Sequence, residues 1–267
     1  MVILCISPLG DGDGYRPRDD HWWAPQGAPR ASDGETFMAE VRRTYLRGAE
    51  ITVVSAGGAS GEPGLQLESV VEACRAALAE EGLSKVDVAH SRLWMRDREI
   101  AAALNDQRER LLRGEFRSAS SSFFSRQRMS GEGVVAVEFY AVRPLDRSTR
   151  KIVTFDPPRR YAHYLAVDDW LFLSGMAEEG DTMDMQFDKA FAQVQGALDL
   201  EGFTWADVCS ASLFLQRGEA TPDWMLERFR LAAPLQPHVV SFEFVDELAN
   251  TPKHLEIEII ARRWSAP

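Results

Sequence analysis

Cysteine is scarce in this chain of 267 residues, with only Cys5, Cys74 and Cys209 at widely separated positions. Three cysteines without a close pair do not form a disulfide framework, and no CxxC or His/Cys cluster has the spacing of metal ligands. We therefore predict no metal site and no cofactor. The cysteine usage favours the reducing cytoplasm as the location of the protein.

Long hydrophobic runs and an excess of positive charge are also missing. The apolar residues 1–6 lack a basic flank and are too few for a membrane span, so we interpret them as a first strand rather than a signal peptide. The formal net charge is -11 at pH 7, and such a field repels nucleic acid phosphates and anionic lipid. We expect neither nucleic acid nor a membrane as a partner.

A serine-hydrolase signature is missing as well. Residues 118–125 are rich in serine, but no G-x-S-x-G motif accompanies them and no Ser-His-Asp arrangement can be nominated. The hydroxyl groups of this run could instead line a polar cleft.

What the sequence does contain is a duplication with a period of about 120 residues. Solenoid repeats are much shorter and need three or more copies to close a core, so two copies of one small domain explain the pattern better. The register runs through predicted helices, loops and strands alike. The matching pairs include Asp87 and Asp207, Leu93 and Leu213, Phe124 and Phe244, Glu138 and Glu258, and Arg143 and Arg263.

Each half shows the same order of strand, helix, strand, helix, strand, strand. Residues 67–78 place apolar side chains on one helix face, Gly82 stands where a helix C-cap belongs, and 185–200 repeat the helical pattern. We predict an α+β fold of two tandem domains, each a mixed β-sheet covered on one face by two helices. Because the strand at 239–245 is not polar enough for a solvated face, we also expect the two sheets to associate.

The proline-containing polar stretch 144–158 separates the halves, so we place the domains at 1–148 and 149–267. The first domain carries a long N-terminal segment, about 11–35, that is rich in Gly, Pro, Asp and Arg. Its apolar residues 21–23 (His-Trp-Trp) pin a surface loop or form part of a lid over a site.

Several segments of the second half resemble a known family. They are 171–177 (LFLSGMA), 201–208 (EGFTWADV) and 255–261 (LEIEIIA). These resemble the Ser-Gly strand, the entry into the central strand and the closing strand of the Rid proteins, the YjgF-like reactive-intermediate deaminases. The first half keeps related segments at 53–57 and 137–142. The resemblance covers roughly residues 45–144 and 157–263, as in a tandem two-domain member.

The resemblance implies chorismate-mutase-like domains that assemble as trimers, with the sheets in a central barrel and clefts between neighbouring domains. It also implies hydrolysis of 2-enamines or 2-imines to a keto compound and ammonia. That chemistry needs a guanidinium to hold the substrate carboxylate and an acceptor to orient the attacking water. We therefore expect a homotrimer that acts on a small anionic metabolite.

The resemblance distributes the candidate site residues unevenly between the halves. Arg117 and Ser118 stand for the Arg-Ser pair of the family, whereas the second half has His238 in that region. Glu256 matches the glutamate of the family's last strand, whereas the first half has Ala136 there. A composite site with Arg117 from one half and Glu256 from the other requires a cleft between unlike domains.

Each candidate also has a structural interpretation. Arg117 could pair with an acid at a strand edge, and a lone histidine such as His238 is more often a partly buried hydrogen-bonding residue than a general base. Glu256 could belong to a solvated face or a salt-bridge row, although we take it as functional. Ser120 and His163 complete the predicted substrate-binding set, the latter because family members carry a cleft-lining residue there.

Two further glutamates recur at equivalent positions. Glu138 and Glu258 lie in the last predicted strand of each half, and Arg143 and Arg263 follow them. Charges that recur together suit structural ion pairs between these residues at least as well as chemistry.

Three functions fit these observations. The first is a Rid-like hydrolase of an imine, an enamine or a related polarised carbon, with specialised metabolism as one setting. The second is an enzyme similar to the chorismatases, which are also duplicated Rid-like chains and act on an anionic enol ether. The third is a non-catalytic ligand-binding or assembly protein with a degenerate site.

Overall fold

The first half of the chain builds one mixed sheet with two helices on one face. The computed structural model describes residues 2–5, 39–129, 131–144, 146–159, 161–233, 237, 239–249 and 252–263. The candidate His238 and the segment around residues 21–23 lie outside these ranges. The first elements are β1 (Val2–Cys5), β2 (Glu40–Leu46), β3 (Ala49–Gly57), α1 (Pro63–Glu80), β4 (Val88–Met95), α2 (Ala101–Leu111), β5 (Ala119–Phe124) and β6 (Val135–Val142).

The second half repeats this plan. Its elements are β7 (Lys151–Thr154), β8 (Ala162–Val167), β9 (Trp170–Leu173), α3 (Met183–Leu200), β10 (Val208–Gln216), α4 (Pro222–Ala232), β11 (Val239–Val245), β12 (Glu247–Leu248) and β13 (Leu255–Arg262). The predicted α+β fold, with two mixed sheets and four helices, is confirmed. The stretch 144–158 was expected to be a polar linker, but its Lys-Ile-Val-Thr segment forms the edge strand β7, because its two β-branched apolar residues pair with β8.

Strand order shows that each sheet takes one strand from the other half. The first sheet runs β12-β5-β4-β6-β3-β2, and the second runs β1-β11-β10-β13-β9-β8-β7. The β4–β5 and β10–β11 pairs are parallel. The short β12 lies on β5, and the N-terminal β1 lies antiparallel on β11. The domain boundary at residue 148 therefore stays a prediction from the sequence. Each sheet contains one strand from the other side of this boundary.

The helices begin and end where their sequences dictate. Glu62 accepts a hydrogen bond from the Leu65 amide and Pro63 opens α1, while Thr182 caps α3 by accepting from the Met185 amide. Gly82 follows α1 with φ +68°, a left-handed conformation that favours glycine. No helix in the described ranges is long and apolar enough to cross a membrane.

The two sheets pack face to face with the helices outside, which gives four layers. One apolar cluster joins each helix pair to its own sheet. A third cluster mixes residues of both sheets, and it confirms the expected sheet-on-sheet association. Its buried members include Ile51, Val53, Ala89 and Val142 from the first sheet and Leu165, Trp170, Phe172 and Cys209 from the second.

A buried group of charges also joins the sheets. Arg92 Nη2 lies 2.6 Å from Glu258 Oε2 and 3.0 Å from Ser212 Oγ, and Arg92 Nη1 lies 3.3 Å from Glu138 Oε2. The expected pairing of these glutamates with Arg143 and Arg263 is wrong. Those two arginines extend past the sheet ends and donate to the backbone carbonyls of Glu81 and Glu201, just after helices α1 and α3.

Candidate functional site

A cleft opens between the halves at the edge of β5. It consists of two adjoining cavities of about 130 and 220 Å³ that share Asn105, Arg108, Ser120 and Tyr161. Arg117 and Ser118 line the smaller cavity, and Glu256 lines the larger one. The structure thus brings the predicted Arg117, Ser118, Ser120 and Glu256 to one composite cleft.

Hydrogen bonds between the two halves hold the floor of the cleft together. The Ser120 amide donates to Ser174 Oγ at 2.8 Å, and the Gly175 amide donates to Ser121 Oγ at 3.0 Å. Ser174 Oγ in turn donates to the Ala162 carbonyl at 2.7 Å. These bonds satisfy backbone groups at a sheet edge and fix β5 against the loop that follows β9.

Glu256 enters the cleft on β13, next to a residue that must be glycine. A Cβ atom built on Gly175 would lie 1.6 Å from Glu256 Oε1, so only a glycine leaves room for this carboxyl group. The Ser121 hydroxyl hydrogen-bonds to the carboxyl group. Its Oε1 atom is buried and has no hydrogen-bond partner among the described residues.

The surroundings of Glu256 keep its carboxyl group protonated at neutral pH. Burial, and secondly the negative charge of Glu258, raise the pKa of Glu256 to about 8, against an opposing contribution from Ser121. Glu258 lies two residues after Glu256 on the same face of β13 and forms a salt bridge with Arg92. A protonated carboxyl group in a cleft can donate a proton to a bound molecule.

Arg117 supplies positive charge to the other end of the cleft. It follows a short 3₁₀ turn and directly precedes Ser118, whose hydroxyl donates to Ser91 Oγ at 3.1 Å. Arg117 Nη2 lies 3.4 Å from the Arg159 carbonyl oxygen. Its guanidinium lines the cavity, so a carboxylate bound there would meet a cation with several donors.

Three residues that line both cavities carry no signal in the sequence that marks them as site residues. Arg108 is buried and donates to the Ser121 carbonyl at 2.8 Å and to Asn105 Oδ1 at 3.1 Å. Tyr161 closes the cleft from the second half. Arg108 and Asn105 lie on α2, whose many charged residues look like a solvated face, so periodicity gave no signal for them.

His163 lies beside the cleft rather than among its lining residues. Its ring stacks on Phe155 with 4.4 Å between ring centres, and burial together with the charge of Arg159 lowers its pKa. Its substrate-binding role stays a prediction. Cys74 and Cys209 are buried, and burial raises the pKa of the Cys209 thiol to about 11, which suits small core residues rather than nucleophiles.

Solved structures to which this chain is similar include a chorismatase. It shares 14% sequence identity with this chain at a TM-score of 0.58, and the match covers 83% of this chain and 79% of the other. Members of the YjgF family from Mycobacterium tuberculosis and Neisseria meningitidis match with 23% and 25% identity and TM-scores of 0.38 and 0.35. Those matches cover 43% and 44% of this chain and 99% of each family member.

At the level of sequence, no protein-family model and no curated protein matches this chain. The similarity to chorismatase extends across most of both chains and shows a common α+β fold. The chain therefore has the fold of that protein. The similarity shows the fold alone, and the residues of the cleft bear on the chemistry of this chain.

Proposed function

We propose that the cleft between the halves is the active site of a hydrolase for a small anionic 2-imine or 2-enamine. The observation that carries this proposal is the buried Glu256 carboxyl group, whose surroundings raise its pKa to about 8, at one end of a cleft that Arg117 lines at the other. A guanidinium binds the substrate carboxylate, and a carboxylic acid supplies the proton that an enamine needs at its β-carbon.

The reaction balances with water as the only co-substrate. The enamine π electrons take the proton of Glu256 to form a C–H bond, and the nitrogen lone pair completes an iminium group. Water adds to the iminium carbon and gives one proton to nitrogen and the other back to the Glu256 carboxylate. Ammonia then leaves as the carbonyl forms, so the keto acid and ammonia are the products.

The similarity to chorismatase favours an enol ether as the second candidate substrate. Protonation of an enol ether carbon by Glu256 is the same first step as protonation of an enamine. Water then adds to the oxocarbenium carbon, and an alcohol leaves instead of ammonia. The two candidates differ in the leaving group, which a product assay distinguishes.

The test compares two substrates and four proteins. Pyruvate and ammonia are measured with 2-aminoacrylate generated in solution, and pyruvate and methanol are measured with 2-methoxyacrylate. The proteins are the wild type, Glu256→Gln, Arg117→Ala, and the matched control Arg110→Ala, an exposed arginine on α2. Circular dichroism checks that all four are folded.

We expect Glu256→Gln to lower kcat by about 10²–10⁴-fold, the usual contribution of a general acid. Arg117→Ala should raise KM and lower kcat/KM by about 10–150-fold, which corresponds to about 1.5–3 kcal/mol for a hydrogen bond to a charged group. Arg110→Ala should match the wild type. Full turnover by Glu256→Gln would contradict the proposal, and tight binding without turnover would favour the ligand-binding alternative.

We further propose that the chain acts as a homotrimer in the cytoplasm, as its resemblance to the Rid proteins implies. Three copies of a 29.9 kDa chain give an assembly of roughly 90 kDa. Light scattering after gel filtration measures this mass, and a mass near that of one chain contradicts the trimer.

A further inference from the structure

A further cavity, separate from the two cavities of the cleft, lies on the connection between the halves, behind the backbone of Arg117. Its volume is about 560 Å³, within the range of small-molecule sites. It shares none of its lining residues with the cleft cavities. They are Val86, Phe116, Arg147, Ser148, Arg150 and Ile152.

Arg150 brings an uncompensated positive charge into this cavity. Its Nη2 atom donates to the carbonyl oxygens of Val88 at 3.1 Å and Arg117 at 2.7 Å. Among the described residues no carboxylate lies within ion-pair distance of Arg150, and its buried Nε atom has no hydrogen-bond partner there. Burial lowers the pKa of Arg150 to about 10, and the charge of Asp87 opposes this only in part. Carbonyl dipoles satisfy donors, but they do not neutralise a partly buried cation.

The other charges near the cavity partly cancel one another. Arg147 forms a two-point salt bridge with Asp87, in which both N–O distances are 2.8 Å, so these two charges cancel. Lys85 places its ammonium group 3.5 Å from the centre of the Phe116 ring. The Asp146 carboxylate, which accepts a hydrogen bond from the amide of the lining residue Ser148 at 2.8 Å, offsets one positive charge. Arg150 and Lys85 together still leave a local positive excess in a chain whose net charge is -11, and an anion is the ligand that such a spot attracts.

Three of the six lining residues are apolar. Phe116, Ile152 and Val86 face the same space as the Arg150 guanidinium. An aromatic or aliphatic body can cover these side chains while a carboxylate lies against the Arg150 guanidinium, which is the usual division between apolar lining and a few placed polar groups in ligand sites.

We propose that this cavity binds a small organic carboxylate with an apolar body, with Arg150 as the carboxylate partner. The site is separate from the cleft. It lies one hydrogen bond from the cleft backbone, because the same guanidinium holds the carbonyl oxygen of Arg117.

The test locates and quantifies one probe, p-iodobenzoate. Crystals of the wild type soaked with the probe are examined for an anomalous iodine peak, and calorimetry measures the affinity in solution. The variants are Arg150→Gln, which removes the charge, and Ser148→Glu, which adds a carboxylate at an exposed lining position with little risk to folding. Ser148→Ala is the matched control, and p-iodobenzyl alcohol is the neutral control ligand.

We expect iodine between Phe116 and Ile152, at least ten-fold weaker binding to both charge variants, and unchanged binding to Ser148→Ala. The neutral alcohol should bind much more weakly than the carboxylate. Iodine found only in the cleft, no binding at all, or equal affinity in the wild type and folded Ser148→Glu would overturn the proposal. This test measures binding alone, so its outcome is independent of any turnover in the cleft.

Discussion

The two halves of the chain differ in how the equivalent edge of the sheet is covered. In the second half, residues 239–242 of β11 pair with the N-terminal strand β1. The equivalent residues 119–122 of β5 form the floor of the cleft, and β12 covers only Phe123 and Phe124 beyond them. The cleft therefore lies on the edge that β1 does not cover. The two halves thus share a strand plan but differ at the edge where the cleft lies.

The side chains diverge in a complementary way. The first half has Ala136 where the second has Glu256, and it has Arg117 where the second has Pro237. Neither half contains both the cation and the acid, but the cleft between them does. A similar division occurs in the buried charges, where Arg92 of the first half serves glutamates of both halves and Ser212 stands at the equivalent position.

The largest effect on stability is expected when the arginine at the centre of the buried charges is replaced by the residue that the second half has at the equivalent position. Arg92→Ser leaves Glu258 buried without its arginine partner, which typically costs about 3–5 kcal/mol. It also removes one of the three arginines around Glu138, where Arg128 and Arg42 remain. Urea unfolding measures the loss in the free energy of unfolding. The exposed Arg110→Ser is the control, and an equally small loss in both variants would contradict the assigned role of Arg92.

A position swap sharpens the same comparison. In Arg92→Ser combined with Ser212→Arg, the arginine enters from β10, where Ser212 Oγ lies 3.0 Å from the original guanidinium. We expect the double variant to recover part of the stability that Arg92→Ser loses. No recovery would mean that the network depends on the backbone of β4 and not only on the charge.

The pH dependence of stability separates Glu256 from its counterpart Ala136. A glutamate ionises near 4.5 in the unfolded chain, whereas Glu256 keeps its proton in the folded protein up to about pH 8. The unfolded chain therefore loses its proton first, and the free energy of unfolding falls as the pH rises from about 4.5 to about 8, then levels off. This fall is on the order of a few kcal/mol.

Glu256→Gln has no proton to lose at this position and should remove most of that fall. Urea unfolding at about pH 5 and about pH 8 measures the difference for the wild type and the variant. Exposed Glu132→Gln is the matched control and should keep the wild-type dependence. A Glu256→Gln profile that parallels the wild type would show that Glu256 is ionised in the folded protein.

The smallest effect compares two glycines at related positions. A Cβ on Gly57 would meet only the Ala136 Cβ at 3.9 Å, whereas one on Gly175 would overlap the Glu256 carboxyl group. Gly57→Ala should leave stability and activity nearly unchanged. Gly175→Ala should cost about 1–3 kcal/mol through overpacking and lower turnover by displacing Glu256. Thermal unfolding and the pyruvate assay test both, and equal behaviour of the two variants would contradict the close approach.

The sequence predicted the fold better than it predicted the site. Helix periodicity gave α3 to within two residues and the apolar part of α1, although α1 begins four residues earlier, at Pro63. The repeat gave the duplicated plan. The pairing of Arg92 with Glu138 and Glu258 was not predictable, because it depends on which sheet faces meet. Arg108 and Tyr161 were missed for the same reason, since long-range packing alone turns them toward the cleft.

The interleaved strands have a consequence for the order in which the chain can fold. Residues 2–5 are synthesised more than 230 residues before their partner β11 at 239–245. The second sheet cannot be completed until β11 and β13 have been synthesised, so β1 stays without its partner until then. Contacts of such large sequence separation slow folding, and a tag placed ahead of β1 would act on the last step of assembly.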